Sequence, residues 1–314
     1  MATETRQLID PTTAIKKRYD FLYIFDVTDG NPNGDPDFDN TPRFDPETFQ
    51  GLVSDVCLKR KIRDYIYYAK ESEGRVEPGY DIFVRSGTSL ENQQRKPFDA
   101  LPELKGKAKA KTTGSEDIEL ARQWMCVNFF DVRTFGAVMG TTDFRCGQVR
   151  GPVQLTFARS RHRVFTSEHG ITRVAFTTEE KRKSTSATTE MGNKKTVAYG
   201  LYVAHGFISP QLARTTGFND TDLDVIWQAL NSMFGFDRSA ARGLMAARHL
   251  FVFEHESPLG NAPAHKLFEL IENRINLKEG VETPRAYGEY IVPSVAEVSP
   301  ELPAGISLRD LVAG

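Results

Sequence analysis

The order of segments in this 314-residue chain predicts an α+β fold, in which helices lie on one face of an antiparallel sheet. Residues 19–27 are rich in aromatic and β-branched side chains, as in a buried strand. Leu58, Ile62 and Ile66 recur at helical spacing, which suits a helix packed on that sheet. A second strand and amphipathic helix follow at 196–209 and 220–234, and this repetition completes the α+β pattern.

The boundaries of the elements follow from turn and cap residues. The first helix is predicted to begin at Asp45, because Asp-Pro supplies an N-cap and a first-turn proline. Residues 86–119 are polar and Lys-rich, so they are interpreted as an insertion. Residues 159–195 contain short β-like pieces around a polar run, which predicts an extended hairpin. Other predicted elements are strands at 80–85, 149–157 and 250–254, and helices at 118–128 and 265–276. The acidic part 216–314 completes a single domain, 1–314.

Several classes of protein are excluded at this stage. No apolar run reaches the roughly 20 residues that a bilayer span needs, and residues 1–17 lack a secretory signal. The three cysteines are far apart, which argues against a disulfide framework or a thiolate zinc site and favours a cytoplasmic protein. No histidine metal motif and no Walker phosphate loop occur, so no metal or other cofactor is predicted.

Charge is distributed unevenly along the chain, although the net charge is only −2. Residues 145–195 contain eleven bases and four acids, and residues 85–111 contain seven bases and three acids. In contrast, 18–55 has nine acids and two bases, and 216–314 has fourteen acids and eight bases. This segregation predicts a basic groove on an otherwise acidic body, and hence a nucleic-acid partner.

Three groups of residues are candidates for binding that partner. The first lies within the first helix, the second surrounds a Gly-rich turn at 147–154, and the third lies at the two ends of the predicted hairpin. Arginine and lysine can bind phosphates there, while glutamine can contact sugar or base edges. The candidates are Ser54, Lys59, Arg60 and Arg63; Arg145, Gln148, Arg150 and Gln154; and Arg161, Arg163, Lys194 and Lys195.

An acidic loop after the first strand gives an alternative. The carboxylates of Asp26, Asp29, Asp35, Asp37 and Asp39 are of the type that binds Mg²⁺ in a metal-dependent ribonuclease. The same loop also has the composition of consecutive tight turns. A third class, a scaffold that binds only protein, also remains open.

Five motifs resemble a known family. N-P-N-G-D-P at 31–36, S-D-V-C-L-K-R-K-I-R at 54–63 and F-D-V-R-T-F-G at 130–136 resemble the Cas-seven backbone subunits of type I CRISPR Cascade complexes. G-Q-V-R-G-P-V-Q at 147–154 and M-G-N-K-K-T-V-A-Y-G-L-Y-V-A-H-G-F at 191–207 resemble the type I-C, or Csd, branch.

The resemblance implies an RNA-recognition-motif-like (ferredoxin-like) palm with an antiparallel sheet, a thumb hairpin and finger-like insertions. On that basis 159–195 is the candidate thumb and 86–119 the finger-like insertion. The subunit would polymerise head-to-tail along guide RNA (crRNA), which pairs with target DNA, beside the small Cas-five-type and large subunits.

By the same resemblance, the cations of the first helix would bind the guide backbone and no residue is catalytic. Asn31, Asn33, Gly34 and Asp35 would lie near RNA or the next subunit. The aromatic string K/R-G-F/Y-G/A-F-V-x-F/Y of RNA-recognition motifs is absent, which favours contacts to the RNA backbone over base stacking.

Overall fold

The computed structural model describes residues 7–107, 113–140, 142–173, 175, 178–180 and 190–312. The strands are β1 (Tyr19–Gly30), β2 (Gly34–Asp35), β3 (Thr41–Pro42), β4 (Gln50–Val53), β5 (Glu71–Ser72), β6 (Arg75–Val76), β7 (Gly136–Met139), β8 (Gly147–Arg150), β9 (Val153–Leu155), β10 (Ala158–Arg163), β11 (Thr166–Arg173), β12 (Glu190–Ile208), β13 (Leu244–His255), β14 (Asn276–Leu277), β15 (Tyr290–Ile291) and β16 (Ile306–Asp310). The helices are α1 (Asp55–Ala69), α2 (Leu90–Ala100), α3 (Ser115–Asn128), α4 (Phe130–Phe135), α5 (Pro210–Thr216), α6 (Asp220–Phe236), α7 (Ala264–Glu272) and α8 (Val295–Val298).

The main sheet confirms the predicted fold class. Its strands run in the order β16-β13-β1-β12-β10-β4, and every pairing between them is antiparallel. Elements β1, α1, β10, β12, α6 and β13 follow one another as β-α-β-β-α-β, the chain order of a ferredoxin-like motif. The long strand β12 also pairs with β9 at one end and with β11 at the other.

Helices cover both faces of this sheet, whereas the sequence predicts helices on one face only. Alternate residues of β1, such as Phe21 and Tyr23, are buried in the cluster that contains residues of α1 and α6. The intervening residues Leu22 and Ile24 are buried in the cluster that contains α7 and α8. The sequence did not show which face of β1 is covered, because β1 is apolar at successive positions and therefore has no two-residue alternation.

A separate small core is formed mainly by the part of the chain that lies between α1 and β10 in sequence. Helices α2, α3 and α4 and strands β7 and β8 bury their apolar side chains together there. This region is joined to the palm by Arg133 of α4, whose guanidinium makes two 2.8 Å hydrogen bonds to the carboxylate of Asp222 in α6. Both side chains are almost fully buried. The range 86–119, which was interpreted as a polar insertion, includes helix α2 and the start of α3. Residues 108–112 lie outside the described part of the chain.

One predicted helix start and two predicted strands were wrong. Helix α1 begins at Asp55, because Asp45 accepts hydrogen bonds from the backbone of Glu47 and Thr48 in a turn. Residues 80–85 make only an isolated bridge, Asp81 to Phe129, and do not form a strand. The predicted strand 149–157 is divided into β8 and β9.

Residues 159–195 contain the predicted hairpin. Strand β11 pairs with β12 in continuous register from Thr166 opposite Val197 to Arg173 opposite Glu190. Residues 181–189, which include the predicted basic and polar tip, lie outside the described residues. In the part of the chain that is described, no helix has the length and apolar character to cross a membrane.

Candidate nucleic-acid interface

Three arginines alternate with other residues along β10. Arg159 pairs with Val203 of β12, and Ser160 pairs with Tyr202. Val203 is buried in the cluster with α7, while Tyr202 is buried in the cluster with α1 and α6. Since opposite residues of an antiparallel pair point to the same side, Arg159 lies on the α7 side. Arg161 lies on that side as well, because its guanidinium donates to the backbone carbonyl oxygens of Glu272 and Ile275. Arg163 follows an irregularity in the pairing of β10 with β4 and lies beside the ring of Phe49.

The central part of this sheet face is covered, but its edge along β10 is open. A groove of about 430 Å³ lies there, and its lining is mainly cationic and polar, with one aromatic ring. The Arg159 side chain is 54% exposed and the ring of Phe157 is half exposed. The groove is lined by Gln50, Thr156, Phe157, Arg159, Ser160, Arg161, Val203, His205 and Glu272. This arrangement can contact a polyanion along the strand direction.

Two acidic groups position the cations in this groove. Arg159 donates a 2.9 Å hydrogen bond to Asp45, and this bond, with backbone donors, lowers the pKa of that carboxyl. Glu272, at the end of α7, accepts from His205 at 2.6 Å and lies 3.7 Å from Arg161. Arg161 also donates to the backbone carbonyl oxygen of Glu272. Arg161 is therefore fixed against α7, while Arg159 is held only at the surface.

A second groove, of about 400 Å³, lies near the start of β9 and contains two of the sequence candidates. Arg150 is exposed and Gln154 is partly exposed, and both line it together with Arg18 and Phe207. Gln154 pairs with Phe207 of β12, which packs on the α7 side of the sheet. The two grooves therefore lie on the same side of the sheet, and the chain passes from the second to the first between Gln154 and Thr156.

The remaining hairpin candidates lie where β11 and β12 leave the sheet. Lys194 pairs with His169 and Lys195 pairs with Glu168. The ammonium group of Lys195 is 3.0 Å from the carboxylate of Asp39. This ion pair joins the base of the hairpin to the loop between β2 and β3.

The loop after β1 is bonded directly to the start of α1. The side-chain oxygen of Asn33 accepts 2.9 Å hydrogen bonds from both the backbone and the hydroxyl of Ser54. The Ser54 oxygen in turn accepts from the backbone of Cys57, so Ser54 is the N-cap of α1. Asn31 donates to Asn40, which closes the loop. These residues order the loop–helix edge.

Replacement of Ser54 by alanine tests this structural role. We expect Ser54→Ala to lower the free energy of unfolding by about 1–2 kcal/mol, because α1 loses its side-chain cap and Asn33 loses the hydrogen bond donated by the Ser54 hydroxyl. Urea denaturation measures the change. Gln148→Ala, at an exposed position of β8, serves as the control, and equal stability of the two variants would contradict the assignment.

The cations of α1 are engaged with carboxylates of this chain. Lys59 pairs with Asp55, and Arg63 pairs with the buried Asp131; the Lys59 and Arg63 side chains are only 14% and 12% exposed. Both lie over the ring of Phe135, at 5.7 and 5.3 Å from its centroid. Arg60, the most exposed cation of the three, pairs with Asp64 and Asp237. That these groups contact RNA stays a prediction.

The glycines of the 147–154 motif serve backbone packing. A Cβ on Gly151 would lie 2.3 Å from the backbone of Phe135, and one on Gly136 would lie 2.3 Å from the carbonyl oxygen of Val149. The close approach is thus between the backbone that follows β8 and the backbone at the start of β7. Arg145 and Gln148, which flank this turn, are exposed.

The carboxylates of the acidic loop are directed to different partners. Asp26 is buried and pairs with Arg248, while Asp35 pairs with Arg43. Among the described residues, no three His, Cys, Asp or Glu side chains form a group that could hold a metal ion. The structure therefore does not bring these aspartates together as the ribonuclease alternative requires.

Sequence reasoning missed several residues of the groove, including Arg159, Phe157, Gln50 and His205. The signal for Arg159 was present, since arginine alternates with other residues at 159, 161 and 163, the two-residue period of a strand with one exposed face. Gln50 and His205 come from β4 and β12, which only the folded sheet brings beside β10.

Solved structures of similar shape have low sequence identity to this chain. A chain of a CRISPR RNA-guided surveillance complex in a pre-nicking state is 14% identical, with a TM-score of 0.47, and covers 75% of this chain and 78% of its own. A chain of another CRISPR RNA-guided surveillance complex is 13% identical, with a TM-score of 0.45, and covers 84% and 78%. A type III-B Cmr-beta complex bound to cognate target RNA contains a chain with 12% identity and a TM-score of 0.38, covering 75% and 61%.

Sequence comparisons give the family. The CRISPR-associated protein Cas7 of Haloferax volcanii is 26% identical in an alignment of 232 residues, which covers 68% of this chain and 64% of that relative's length. The family model described as CRISPR-associated protein Cas7 matches residues 17–294, which is most of the chain. This chain therefore belongs to the Cas7 family of CRISPR-associated proteins.

Proposed function

We propose that this chain is a backbone subunit of a type I-C CRISPR interference complex, which polymerises along guide RNA and presents its bases to target DNA. The observation that carries the proposal is the arginine row of β10, on the open edge of the sheet in a Cas7-family fold. The type I-C assignment is supported by the motifs at 147–154 and 191–207.

The chemistry of the groove suits contacts to phosphate. Arginine binds phosphate through its planar fork of donors. The two candidate grooves contribute four arginines, Arg18, Arg150, Arg159 and Arg161, and the exposed Arg163 follows at the end of β10. The central positions of the face, such as Leu22 and Tyr199, are buried and offer no ring to a base. A surface that holds the backbone without reading bases accepts any guide sequence, and base pairing then supplies the specificity.

The other parts of the chain, including the hairpin, are also assigned roles in this proposal. The thumb is assigned to 159–195, because β11 and β12 extend beyond the sheet directly from β10. The finger-like part is assigned to 86–119, and 216–314 supplies α6 and β13 of the palm. Copies of the chain associate head-to-tail, next to the small Cas-five-type and large subunits in the cytoplasm. The subunit is proposed to have no catalytic residue and no cofactor.

Sequencing of co-purifying RNA tests the proposal. The full chain, expressed with the other subunits and a repeat-spacer transcript, is purified, and its RNA is extracted. We expect uniform species that contain one spacer with flanking repeat sequence. Protein without bound RNA, or with random cellular fragments, would contradict the proposal.

A cleavage assay separates this function from that of a ribonuclease. Labelled RNA is incubated with purified protein and Mg²⁺ or Mn²⁺, with Asp26→Asn and Asp35→Asn as variants. We expect no cleavage by any of the proteins. Cleavage by the natural chain that either variant loses would overturn the non-enzymatic assignment.

A further inference from the structure

An exposed pair of aromatic rings lies just before β4. Phe44 and Phe49 are 37% and 48% exposed, respectively. Their rings are almost parallel, at 10°, with centroids 6.2 Å apart. Backbone pairing of Phe44 with Gly51 fixes the first ring against β4. An aromatic pair held in this way presents apolar surface to solvent at the edge of the sheet.

The backbone of Phe49 is strained. Its φ is +60°, in the left-handed region that bulky residues rarely adopt. The other non-glycine residues with positive φ in the described chain are Asp29, Asp39, Asn40 and Glu73, which are all polar. The turn itself requires only a backbone bond from Phe49 to Asp45, which glycine would make without strain. A strained backbone at an exposed residue, where glycine would fit without strain, indicates a functional constraint on the side chain.

Phe49 lies at one end of the arginine row. Its carbonyl oxygen accepts a 2.9 Å hydrogen bond from the backbone of Val164, directly after β10. The guanidinium carbon of Arg163 is 5.8 Å from the centre of the Phe49 ring. An exposed ring and an exposed arginine are therefore adjacent at this point. Together they match the two parts of a nucleotide, since the ring stacks on a base and arginine binds phosphate.

We propose that Phe49, supported by Phe44, is a stacking platform for an unpaired nucleobase of the strand whose phosphate Arg163 binds. This inference rests on the proposed function and adds a base contact to a groove otherwise suited to the RNA backbone. Stacking tolerates any base, because every base has a π face. The cation at the ring and the continuity with the β10 groove favour a nucleobase over an apolar protein partner.

Phe49→Gly removes the ring and relieves the strain at the same position. Single-stranded RNA and DNA oligonucleotides containing 2-aminopurine, whose fluorescence falls on stacking, are titrated with the full chain. We expect Phe49→Gly to weaken binding about 5- to 100-fold and to abolish the quenching, with no loss of thermal stability. Phe49→Trp is expected to restore both. Phe236→Ala, which removes another exposed ring, is the matched control and leaves binding unchanged.

The outcomes separate the inference from the proposed function. Quenching with RNA assigns the platform to the guide, and quenching with DNA alone assigns it to the target strand; either result supports the platform. The platform would be overturned if Phe49→Gly bound the oligonucleotides and quenched their fluorescence as the unchanged protein does. In that case, a loss of binding on charge reversal at Arg159 and Arg163 would still support the proposed RNA groove. An effect of Phe49→Gly on self-association alone would identify a protein contact and also overturn the platform.

Discussion

Reversal of charge at Arg159 and Arg163 together is expected to lower the affinity for single-stranded RNA by about 100-fold or more. Each arginine is exposed on the open side of β10, and a hydrogen bond to a charged group contributes about 1.5–3 kcal/mol. Loss of two such contacts therefore weakens the binding free energy by about 3 kcal/mol or more. Because each 1.4 kcal/mol changes the affinity tenfold, this corresponds to about 100-fold or more. The slope of log affinity against log salt should also fall by about 1.4, since each phosphate contact contributes about 0.7 for a single strand.

The opposite edge of the sheet supplies a matched control. Lys17 and Arg309 are also exposed, and each pairs with Glu254, as Arg159 pairs with Asp45. The double variant Lys17→Glu/Arg309→Glu changes the net charge equally but lies beside β16 and β13. Filter binding over a salt series measures both proteins. Equal losses of affinity in the two double variants would mean that only the overall charge matters.

Replacement of Arg133 by methionine is expected to lower the free energy of unfolding by about 3–5 kcal/mol. The variant leaves the carboxylate of Asp222 buried without its cation, although Asp222 still accepts from the backbone of Asn219. The carbonyl oxygens of Cys126 and Gly79 also lose their donor. Chemical denaturation measures the loss, which corresponds to a Tm about 5–8 °C lower for a chain of this length.

Two further variants identify the cause of that loss. Adding Asp222→Asn to Arg133→Met removes the unpaired charge, so part of the stability should return. Arg309→Met breaks an exposed ion pair and should cost less than about 1 kcal/mol. A similarly small cost for Arg133→Met would show that the insertion is not joined to the palm through this pair.

The fold was largely predictable because its central elements have strong local patterns. Residues 19–27 and 196–209 are apolar enough to indicate buried strands. The first range lies within β1, and the second lies within β12 except for its last residue. The start of α1 was not predictable, because Asp45-Pro46 has the composition of a helix cap but forms a turn before β4. Helix α2 was also missed, since only the core formed with α3 and α4 stabilises its polar sequence.

The candidate site was predictable only in part, because a sequence gives the position of a cation but not its partner. Lys59 and Arg63 have helical spacing that suits phosphate binding, yet each meets a carboxylate of this chain. Asp131, the partner of Arg63, is far away in sequence and was therefore not foreseen. Arg161 and Arg163 were identified from the basic composition of the hairpin, but the groove beside β10 required the pairing of β10 with β4 and β12.

Crosslinking tests the central claim that the open edge along β10 contacts RNA. The RNA that co-purifies with the complex is crosslinked by ultraviolet light, and the modified residues are identified by mass spectrometry. The account predicts adducts in the segment from Phe157 to Arg163, with a further adduct at Phe49 if the stacking platform is occupied. Adducts confined to α1, or to the opposite edge at β13 and β16, would contradict it.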